Sequence, residues 1–186
     1  MKCSILYAVH NGEDRLGDSL ESILKCQPIG SADYEVIVVN DGSTDHTKQV
    51  CDKFADRFNR FEYIEEDNVW ETKANITGYH LADPGSDLIC IMQDDICMLE
   101  DNFINKAINE FDTMQYLRIL SGLAGVNLLT DSREELYTTG PKYQRLGEWK
   151  NAEGDKWRGR VVFSDCAIRG PLFIRNSTVK EIGFLQ

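Results

Sequence analysis

The chain has 186 residues, and its 20 Lys and Arg residues against 31 Asp and Glu residues give a net charge of −11. This length predicts one domain, and 42% hydrophobic with 27% charged residues is typical of a globular protein and excludes a disordered chain. The acidic balance argues against a surface that binds nucleic acid or anionic membranes.

No apolar run reaches the ~18–20 residues that a transmembrane segment needs. The N-terminal stretch MKCSILYAVH runs directly into NGEDR without a small-residue cleavage site, so we interpret it as a first strand and expect a cytoplasmic protein. Six cysteines lie at positions 3, 26, 51, 90, 97 and 166, and no pair has CxxC spacing. We interpret them as buried free thiols, with disulfides or a zinc site as the alternatives.

Strand and helix patterns alternate over the first two-thirds of the chain. The stretch YEVIVV is apolar on both faces, as a central parallel strand is, and Val50, Phe54 and Phe58 recur at helical spacing. The predicted order is strand Ser4–Val9, helix Arg15–Lys25, strand Tyr34–Val39, helix Asp45–Phe58, strand Phe61–Glu65, helix Thr72–Leu81, strand Asp87–Met92 and helix Asp101–Phe111. This order predicts an α/β fold with a mostly parallel sheet sandwiched by helices.

The pattern changes after residue 112. Leu117–Leu129 indicates one or two strands, and Thr130–Arg160 is polar, rich in glycine and charge, and without a clear period. A stretch of that kind inside one domain is usually functional or mobile. Strands are predicted again at Val161–Phe163 and Ala167–Ile174, followed by a helix over Asn176–Ile182 that Gly183 could end.

Polar clusters follow three of the predicted strands. They are His10-Asn11-Gly12, Asn40-Asp41-Gly42-Ser43 and Gln93-Asp94-Asp95. Ligands of open α/β sheets bind beyond the carboxyl ends of the strands, so these clusters form the candidate site. Neither GxGxxG nor GxxxxGK[ST] occurs in the chain, which argues against a dinucleotide or P-loop site.

Asp94 and Asp95 follow a buried strand directly. Adjacent carboxylates repel each other unless a cation or a hydrogen-bonded ligand shares them. Oxygen ligands of this kind suit Mg²⁺ or Mn²⁺, completed by waters and substrate phosphates, so an acidic protein can bind a diphosphate through a bridging metal. The alternative is that both residues only cap the turn toward Leu99.

The segment from Asp41 to Asp45 has a structural interpretation. Asp-Gly favours a turn, and Ser43, Thr44 or Asp45 can cap the next helix. Asp41 is then left to accept a hydrogen bond from an N–H or hydroxyl of a ligand. His10 is either a core histidine or part of the ligand loop, and Asn11 could contact a ligand through its backbone or its side chain.

Taken together, these stretches resemble the GT-A fold nucleotide-sugar transferases, and specifically glycosyltransferase family 2. The opening SILYAVHNGEDRLGDSLESIL is similar to the first strand, loop and helix of that family, and YEVIVVNDGSTDHT is similar to its second-strand signature. The stretch from Asn68 to Ala82 resembles its third motif, ICIMQDDI its aspartate-rich metal motif, and GPLFIRNSTVKEIGFLQ its later strand and helix.

The resemblance implies a nucleoside-diphosphate sugar donor, Mn²⁺ or Mg²⁺, and a glycan or other hydroxyl acceptor in polysaccharide biosynthesis. Within a single domain, 1–186, it implies a nucleotide-binding part over 1–112 and an acceptor-side part over 113–186. The metal ligands would be Asp94 and Asp95. The implied donor-binding residues are Ala8, Val9, His10, Asn11, Asp41, Gly42, Lys73, Gln93 and Asp94.

The chain departs from the family pattern at several positions. Gln93 stands where the family often has its first Asp, and Trp70 replaces a Gly. In the third motif, Asn75 replaces the Arg and Ile76 the Asn. A cationic donor contact is therefore missing, and Lys73 compensates for it in part.

In the family, the catalytic base is an acidic residue shortly after the Gly-Phe that stands here as Gly183-Phe184. The chain stops at Gln186, so we expect either a piece of a longer protein, truncated at its C-terminus, or a base within the chain such as Asp165. The resemblance thus implies an inverting glycosyltransferase.

Two other functions stay open from the sequence. The first is a non-catalytic GT-A-like module that binds a nucleotide sugar or a glycan. The second, a phosphoaspartate receiver, is disfavoured because its acidic pair should follow the first strand, where His10-Asn11 stands. Aromatic residues of the 130–160 segment could stack on an acceptor sugar or pack the loop; these are Tyr143, Trp149 and Trp157.

Overall fold

The computed structural model describes residues 1–26, 33–98, 101–121, 126–127, 149–150, 156–157 and 171–184. The strands are β1 Lys2–Val9, β2 Asp33–Asp41, β3 Phe61–Glu66, β4 Leu88–Met92, β5 Ile96–Cys97, β6 Ile119–Ser121, β7 Val126–Asn127, β8 Trp149–Lys150, β9 Lys156–Trp157 and β10 Leu172–Arg175. The α-helices are α1 Leu16–Lys25, α2 Thr47–Phe54, α3 Glu71–Leu81, α4 Phe103–Thr113 and α5 Asn176–Ile182, and a 3-10 helix covers Ala55–Arg57.

Six strands form the central sheet in the order β3-β2-β1-β4-β10-β6. The four strands from β3 to β4 are parallel, with Val9 opposite Asn40 and Tyr7 opposite Met92, and β10 runs antiparallel to both of its neighbours. The predicted mostly parallel sheet is confirmed. Because the strands are parallel, the ends of β1, β2 and β4 meet at one edge and bring their three polar clusters together.

Both faces of the sheet are buried, which explains the apolar runs of its strands. Alternate residues of β1 and β2 face opposite sides: Ile5 and Val36 join one core cluster, whereas Leu6 and Ile37 join the other. Helices α1, α2 and α4 contribute to the first cluster, and α3 and α5 contribute to the second. The helices therefore sandwich the sheet, as predicted.

The second helix is shorter than the predicted Asp45–Phe58. It covers Thr47–Phe54, and the chain then tightens into the 3-10 helix before Phe58 turns extended and stacks on Phe61, with ring centroids 5.6 Å apart. His46 stands at the N-cap position and makes no capping hydrogen bond with its side chain. Of the three residues predicted to cap the helix, Asp45 does so, because its Oδ1 accepts from the N–H of Thr47, the first residue of α2, at 3.0 Å.

Two strands occur within the predicted Leu117–Leu129 stretch, at β6 and β7, and α5 has the predicted bounds. Gly183 follows α5 with φ 86°, a backbone conformation that favours glycine. Of the predicted strand at 167–174, residues 172–174 belong to β10, whereas 167–170 and the predicted strand at 161–163 lie outside the described residues.

Five cysteines of the described residues are thiols outside any disulfide, namely Cys3, Cys26, Cys51, Cys90 and Cys97. The prediction of buried thiols is confirmed for the first four, whereas Cys97 is half-buried and Cys166 lies outside the described residues. Burial raises the pKa of the Cys26 thiol to about 11 and that of Cys51 to about 12, so both are protonated at neutral pH. Within the same part of the chain, no helix has the length and apolarity that crossing a membrane requires.

A polar network lies near the amino ends of β1 and β2, away from the polar edge. The buried Glu35 accepts from Ser4 at 2.6 Å and from the Asp83 N–H at 2.8 Å, and it pairs with Arg60 at 3.0 Å. Asp83 in turn pairs with Lys2 and Arg60. The network joins β1, β2 and the segment after α3.

We expect Asp83→Asn to lower the melting temperature at pH 7 and to have less effect at pH 2. The Lys2 ammonium, the Gly85 N–H and Arg60 lower the pKa of Asp83 to about 2 from its ordinary 3.8. A lowered folded-state pKa stabilises the protein above the ordinary value, and this contribution is lost as the pH falls through about 2. Thermal unfolding followed by circular dichroism at pH 7, 3 and 2 measures the difference.

The control is Asp52→Asn, which breaks an exposed pair with Lys48 on one helix and should change little at any pH. A difference between wild type and Asp83→Asn that is as large at pH 2 as at pH 7 would contradict the electrostatic explanation.

Candidate functional site

The loop after β1 is fastened to the loop after β2 through Asn11. The Asn11 N–H donates to Ser43 Oγ at 2.8 Å, and Asn11 Oδ1 accepts from the Thr44 N–H at 2.8 Å. Asn11 has φ 52°, a left-handed conformation that Asn tolerates better than most residues. Its carbonyl oxygen is thus engaged within the protein, so a ligand would meet mainly the backbone of this loop.

His10 is exposed, so its interpretation as a core histidine is wrong. Its Nδ1 lies 2.6 Å from the carbonyl oxygen of Asp41, and its Nε2 lies 3.1 Å from Asn11 Nδ2. Because a carbonyl oxygen only accepts, Nδ1 carries the proton and Nε2 accepts from the amide. His10 therefore orients the end of β2 from the neighbouring strand.

Asp41 ends β2 and is only 4% exposed. Its Oδ1 accepts a short hydrogen bond from the Val69 N–H, which the sequence did not indicate. Its Oδ2 accepts no hydrogen bond from any residue that the structure describes. Gly42 has φ 66°, and a β-carbon there would lie 2.8 Å from the Asn68 backbone nitrogen. The segment 68–69 therefore lies directly against the end of β2.

Gln93, Asp94 and Asp95 follow β4, and all three are half-buried. Arg15 Nη2 lies 2.9 Å from Asp94 Oδ2, with both side chains mostly buried, and it also donates to the His10 carbonyl at 3.3 Å. Arg15 thus bridges the loops after β1 and β4. Arg15 is not among the residues predicted from the sequence, although a cation at the start of the first helix faces the acidic edge that the parallel sheet creates.

Two carboxylate oxygens at this edge are buried without a hydrogen-bond donor: Asp94 Oδ2 and Asp95 Oδ1. Asp94 Oδ2 nevertheless lies 2.9 Å from Arg15 Nη2, so an ion pair compensates part of its charge. Burial raises the pKa of Asp94, the Arg15 guanidinium lowers it, and the neighbouring Asp95 charge raises it. The buried Asp95 Oδ1 without a donor, next to a second carboxylate, fits a divalent cation.

The protein would supply few of the ligands of such a metal site. Among the described residues, no group of three or more His, Cys, Asp or Glu side chains is placed to hold a metal. Mg²⁺ commonly uses one or two carboxylates and takes its other ligands from water and substrate phosphates. The pair formed by Asp94 and Asp95 therefore fits a cation that also binds a phosphorylated ligand.

The other implied donor-binding residues differ in the solvent exposure of their side chains, and therefore in their accessibility to a ligand. The side chain of Val9 is fully buried, Ala8 and Gly42 are half-buried, and Lys73 is exposed in the first turn of α3. Gly12 lies inside the edge, where a β-carbon would be 2.9 Å from Asp94 Oδ2. Val9 could thus contribute only its backbone.

Some predicted site residues belong to parts of the chain that the structure does not describe. Asp165 and Tyr143 lie outside the described residues. Trp149 and Trp157 are opposite each other in the two-stranded β8–β9 sheet. Their stacking on an acceptor sugar stays a prediction.

Residues 4–166 match the family model described as Glycosyl transferase family 2. The glycosyltransferase GlyA of Streptococcus pneumoniae is 35% identical over 77 residues, which are 41% of this chain and 11% of GlyA. The poly(ribitol-phosphate) beta-glucosyltransferase of Bacillus spizizenii is 34% identical over 65 residues, which are 35% of this chain and 10% of that enzyme. The matched part thus spans about a tenth of each relative.

Among solved structures, S. aureus TarS 1-349 is similar with a TM-score of 0.68 and 19% identity, covering 97% of this chain and 49% of TarS 1-349. The mannosyltransferase PcManGT of Pyrobaculum calidifontis, in complex with GDP-Man and Mn²⁺, gives a TM-score of 0.58 at 18% identity over 64% of this chain and 34% of its own. With the family match over most of its length, the chain belongs to glycosyltransferase family 2 and has the GT-A fold.

Proposed function

We propose that this chain binds a nucleoside-diphosphate sugar with Mn²⁺ or Mg²⁺ and serves an inverting glycosyltransferase whose acceptor is a hydroxyl of a glycan or polysaccharide. The observation that carries the proposal is the buried Asp95 Oδ1, which has no hydrogen-bond partner among the described residues and adjoins the carboxylate of Asp94. Both carboxylates lie at the same sheet edge as Asp41. A TarS 1-349 structure in complex with UDP-GlcNAc (TM-score 0.58, 23% identity, 65% of this chain and 34% of that one) and the PcManGT complex support this ligand class.

The base of the nucleotide would lie against the ends of β1 and β2. Asp41 Oδ2 is available to accept from an N–H of the base, while Oδ1 holds Val69 in place. The backbone from Ala8 to Asn11 and at Gly42 would form the wall, because the Asn11 carbonyl oxygen is already engaged. Gln93 and Asp94 would then lie near the ribose and the first phosphate.

Asp95 would be the main metal ligand, and Asp94 would share its charge between the metal and Arg15. When bound, the cation would offset negative charge that develops on the departing diphosphate. Arg15 keeps Asp94 oriented toward the donor site from the opposite loop. Lys73, exposed at the start of α3, would add a second positive charge beside the phosphates.

In the inverting reaction, a carboxylate removes the proton from the acceptor hydroxyl, and the oxygen attacks the anomeric carbon opposite the diphosphate. The new glycosidic bond forms as the bond to the diphosphate breaks, and the nucleoside diphosphate leaves with the electron pair. Asp165 is the candidate base that we name in this chain. Replacing it with Asn should leave donor affinity unchanged and reduce turnover about 100-fold or more if it has that role.

A non-catalytic GT-A-like module that binds a nucleotide sugar or a glycan is the second candidate. Asn75 favours it, because this residue stands where the resemblance implies an Arg and is itself 4% exposed. The two functions differ in one observable: an enzyme releases free sugar or product from the donor, whereas a module binds the donor without turnover.

A thermal-shift panel with UDP, GDP and dTDP, each with Mn²⁺, with Mg²⁺ or with EDTA, tests donor binding. We expect one nucleotide to raise the melting temperature, and to do so strongly only when metal is present. Asp52→Ala changes an exposed carboxylate on α2 and serves as the control, with the same shifts as wild type. The absence of a shift with every nucleotide at millimolar concentration would refute the proposal.

Asp41→Asn should weaken nucleotide binding about 10- to 100-fold, with or without metal. The Asn carbonyl oxygen can still accept from the Val69 N–H, so the local fold is kept. The new NH₂ group, however, is a hydrogen-bond donor, so it cannot accept from the N–H of the base. Isothermal titration with the preferred nucleotide measures the change, and equal affinity of the variant would make Asp41 a structural residue only.

A further inference from the structure

Trp70 has a backbone conformation that a residue with a side chain rarely adopts. Its φ of 73° and ψ of 152° lie in a region that is essentially restricted to glycine. Among the described residues, Asn11 is the other non-glycine residue with positive φ, and Asn accepts such a conformation more readily than Trp does. Residues held in strained conformations cluster at ligand sites, so the conformation of Trp70 indicates a role in ligand binding.

The backbone around Trp70 is fixed on both sides. The Val69 N–H is bound to Asp41, and Asn68 lies against Gly42. The Trp70 carbonyl accepts from the Ala74 N–H at 3.1 Å and begins α3. The segment therefore has little freedom to relax, and the bend is imposed by its contacts with the end of β2.

The indole of Trp70 points away from the core. It is 78% exposed, more than any other large hydrophobic residue of the described chain. Lys73, one turn further along α3, is exposed as well. This exposed aromatic side chain, one residue after the Val69 N–H that binds Asp41, makes no core contact and is available to a ligand.

The sheet order decides which ligand the indole can reach. Trp70 follows β3 and touches the end of β2 through its neighbour Val69, whereas β10 and β6 lie on the far side of β4. The acceptor-side part of the chain supplies β10 and β6. Trp70 therefore lies on the side where the proposed function places the base of the nucleotide.

We propose that Trp70 is a stacking platform for the nucleobase of the donor, an inference that rests on the proposed function. Every base has a π-face, so stacking adds affinity without choosing between bases. Asp41 would recognise the edge of the base, and Trp70 would cover its face. The two residues, joined through Val69, would form one recognition unit.

The test compares Trp70→Gly, Trp70→Ala and Trp70→Phe by titration with UDP and, separately, with pyrophosphate, both in the presence of Mn²⁺. Loss of base stacking should weaken UDP binding by between about fivefold and about 150-fold in the Gly and Ala variants. Trp70→Phe should retain most of the affinity. Pyrophosphate carries no base, so its affinity should be the same in all variants.

Stability gives a second readout. Trp70→Gly should raise the melting temperature by about 2 °C or more, because glycine adopts this conformation without strain, whereas Trp70→Ala keeps the strain and should not. Tyr116→Ala removes another exposed aromatic residue and is the control with unchanged UDP affinity.

The outcomes separate this inference from the proposed function. If wild type binds no nucleotide, the proposed function fails and the inference fails with it. If wild type binds UDP, Asp95→Ala loses that binding and Trp70→Gly keeps wild-type affinity, the function stands and the stacking role is refuted. Equal losses for UDP and pyrophosphate would also refute it, because they would show that Trp70 only supports the fold of the loop.

Discussion

Gly12→Ala should abolish metal-dependent nucleotide binding and destabilise the protein by about 1–3 kcal/mol. An added β-carbon would lie 2.6 Å from Val9 Cγ1, which is fully buried, and 2.9 Å from Asp94 Oδ2. Neither neighbour can yield freely, since Val9 belongs to the core and Asp94 is paired with Arg15. The loop after β1 would move, and with it the carboxylate that we assign to the metal.

Gly17→Ala is the matched control, because its β-carbon would meet Val50 Cγ1 at an ordinary 3.7 Å. Gly17 lies within α1, so alanine should stabilise the protein by about 0.5–1 kcal/mol. Urea unfolding and titration with UDP and Mn²⁺ measure both variants. Wild-type affinity in Gly12→Ala would show that the crowded position does not control Asp94.

Asp95→Ala should lower the metal-dependent nucleotide affinity by at least about 100-fold and leave the fold intact. Replacing even the outer partners of metal ligands typically costs 10- to 100-fold, and Asp95 is proposed as a direct ligand. Its Oδ1 is buried without a donor, so removing the carboxylate relieves a desolvated charge and breaks no hydrogen bond to that atom. Stability should therefore stay equal or rise.

The readout is isothermal titration of the nucleotide with Mn²⁺ and with EDTA, together with thermal unfolding of the unliganded protein. The control is Asp101→Ala, an exposed carboxylate just before α4, which should behave as wild type in both measurements. Retained Mn²⁺-dependent affinity in a folded Asp95→Ala protein would move the metal to other ligands.

The sheet could be predicted because its strands carry a strong local signal. YEVIVV is apolar on both faces, and β2 extends beyond it only to Asp33 and Asp41 at its ends. The parallel order then places the polar clusters at one edge without any further information. This explains why Asp41 and the pair Asp94–Asp95 were found as candidates from the sequence.

What the sequence could not give is the pairing across that edge. Asp41 Oδ1 accepts from the Val69 N–H, and Asn11 is hydrogen-bonded to Ser43 and Thr44. These hydrogen bonds join residues about 30 positions apart, so no local sequence pattern indicates them. For the same reason, the sequence did not distinguish Asp45, which accepts from the first N–H of α2, from the other two candidate caps. Ser43 and Thr44 favour helix starts in isolation, but here their Oγ and N–H groups fasten the loop after β1.

Trp70 and Arg15 illustrate a second limit. The strained φ of Trp70 is imposed by tertiary contacts, and a sequence pattern shows only that an aromatic residue stands where the family has glycine. Arg15 stands at the N-cap of a regular amphipathic helix, where a cation is ordinarily a solvent-exposed residue. Only the arrangement of β1 beside β4 brings it to Asp94.

The most direct measurement is a crystal structure of the chain with Mn²⁺ and the nucleoside diphosphate that gives the largest thermal shift, using the anomalous signal to locate manganese. We predict a manganese peak bound by the Asp95 carboxylate and the diphosphate, with the base next to Asp41. A manganese peak away from Asp94 and Asp95, or a nucleotide bound elsewhere than at the carboxyl ends of β1, β2 and β4, would contradict the account.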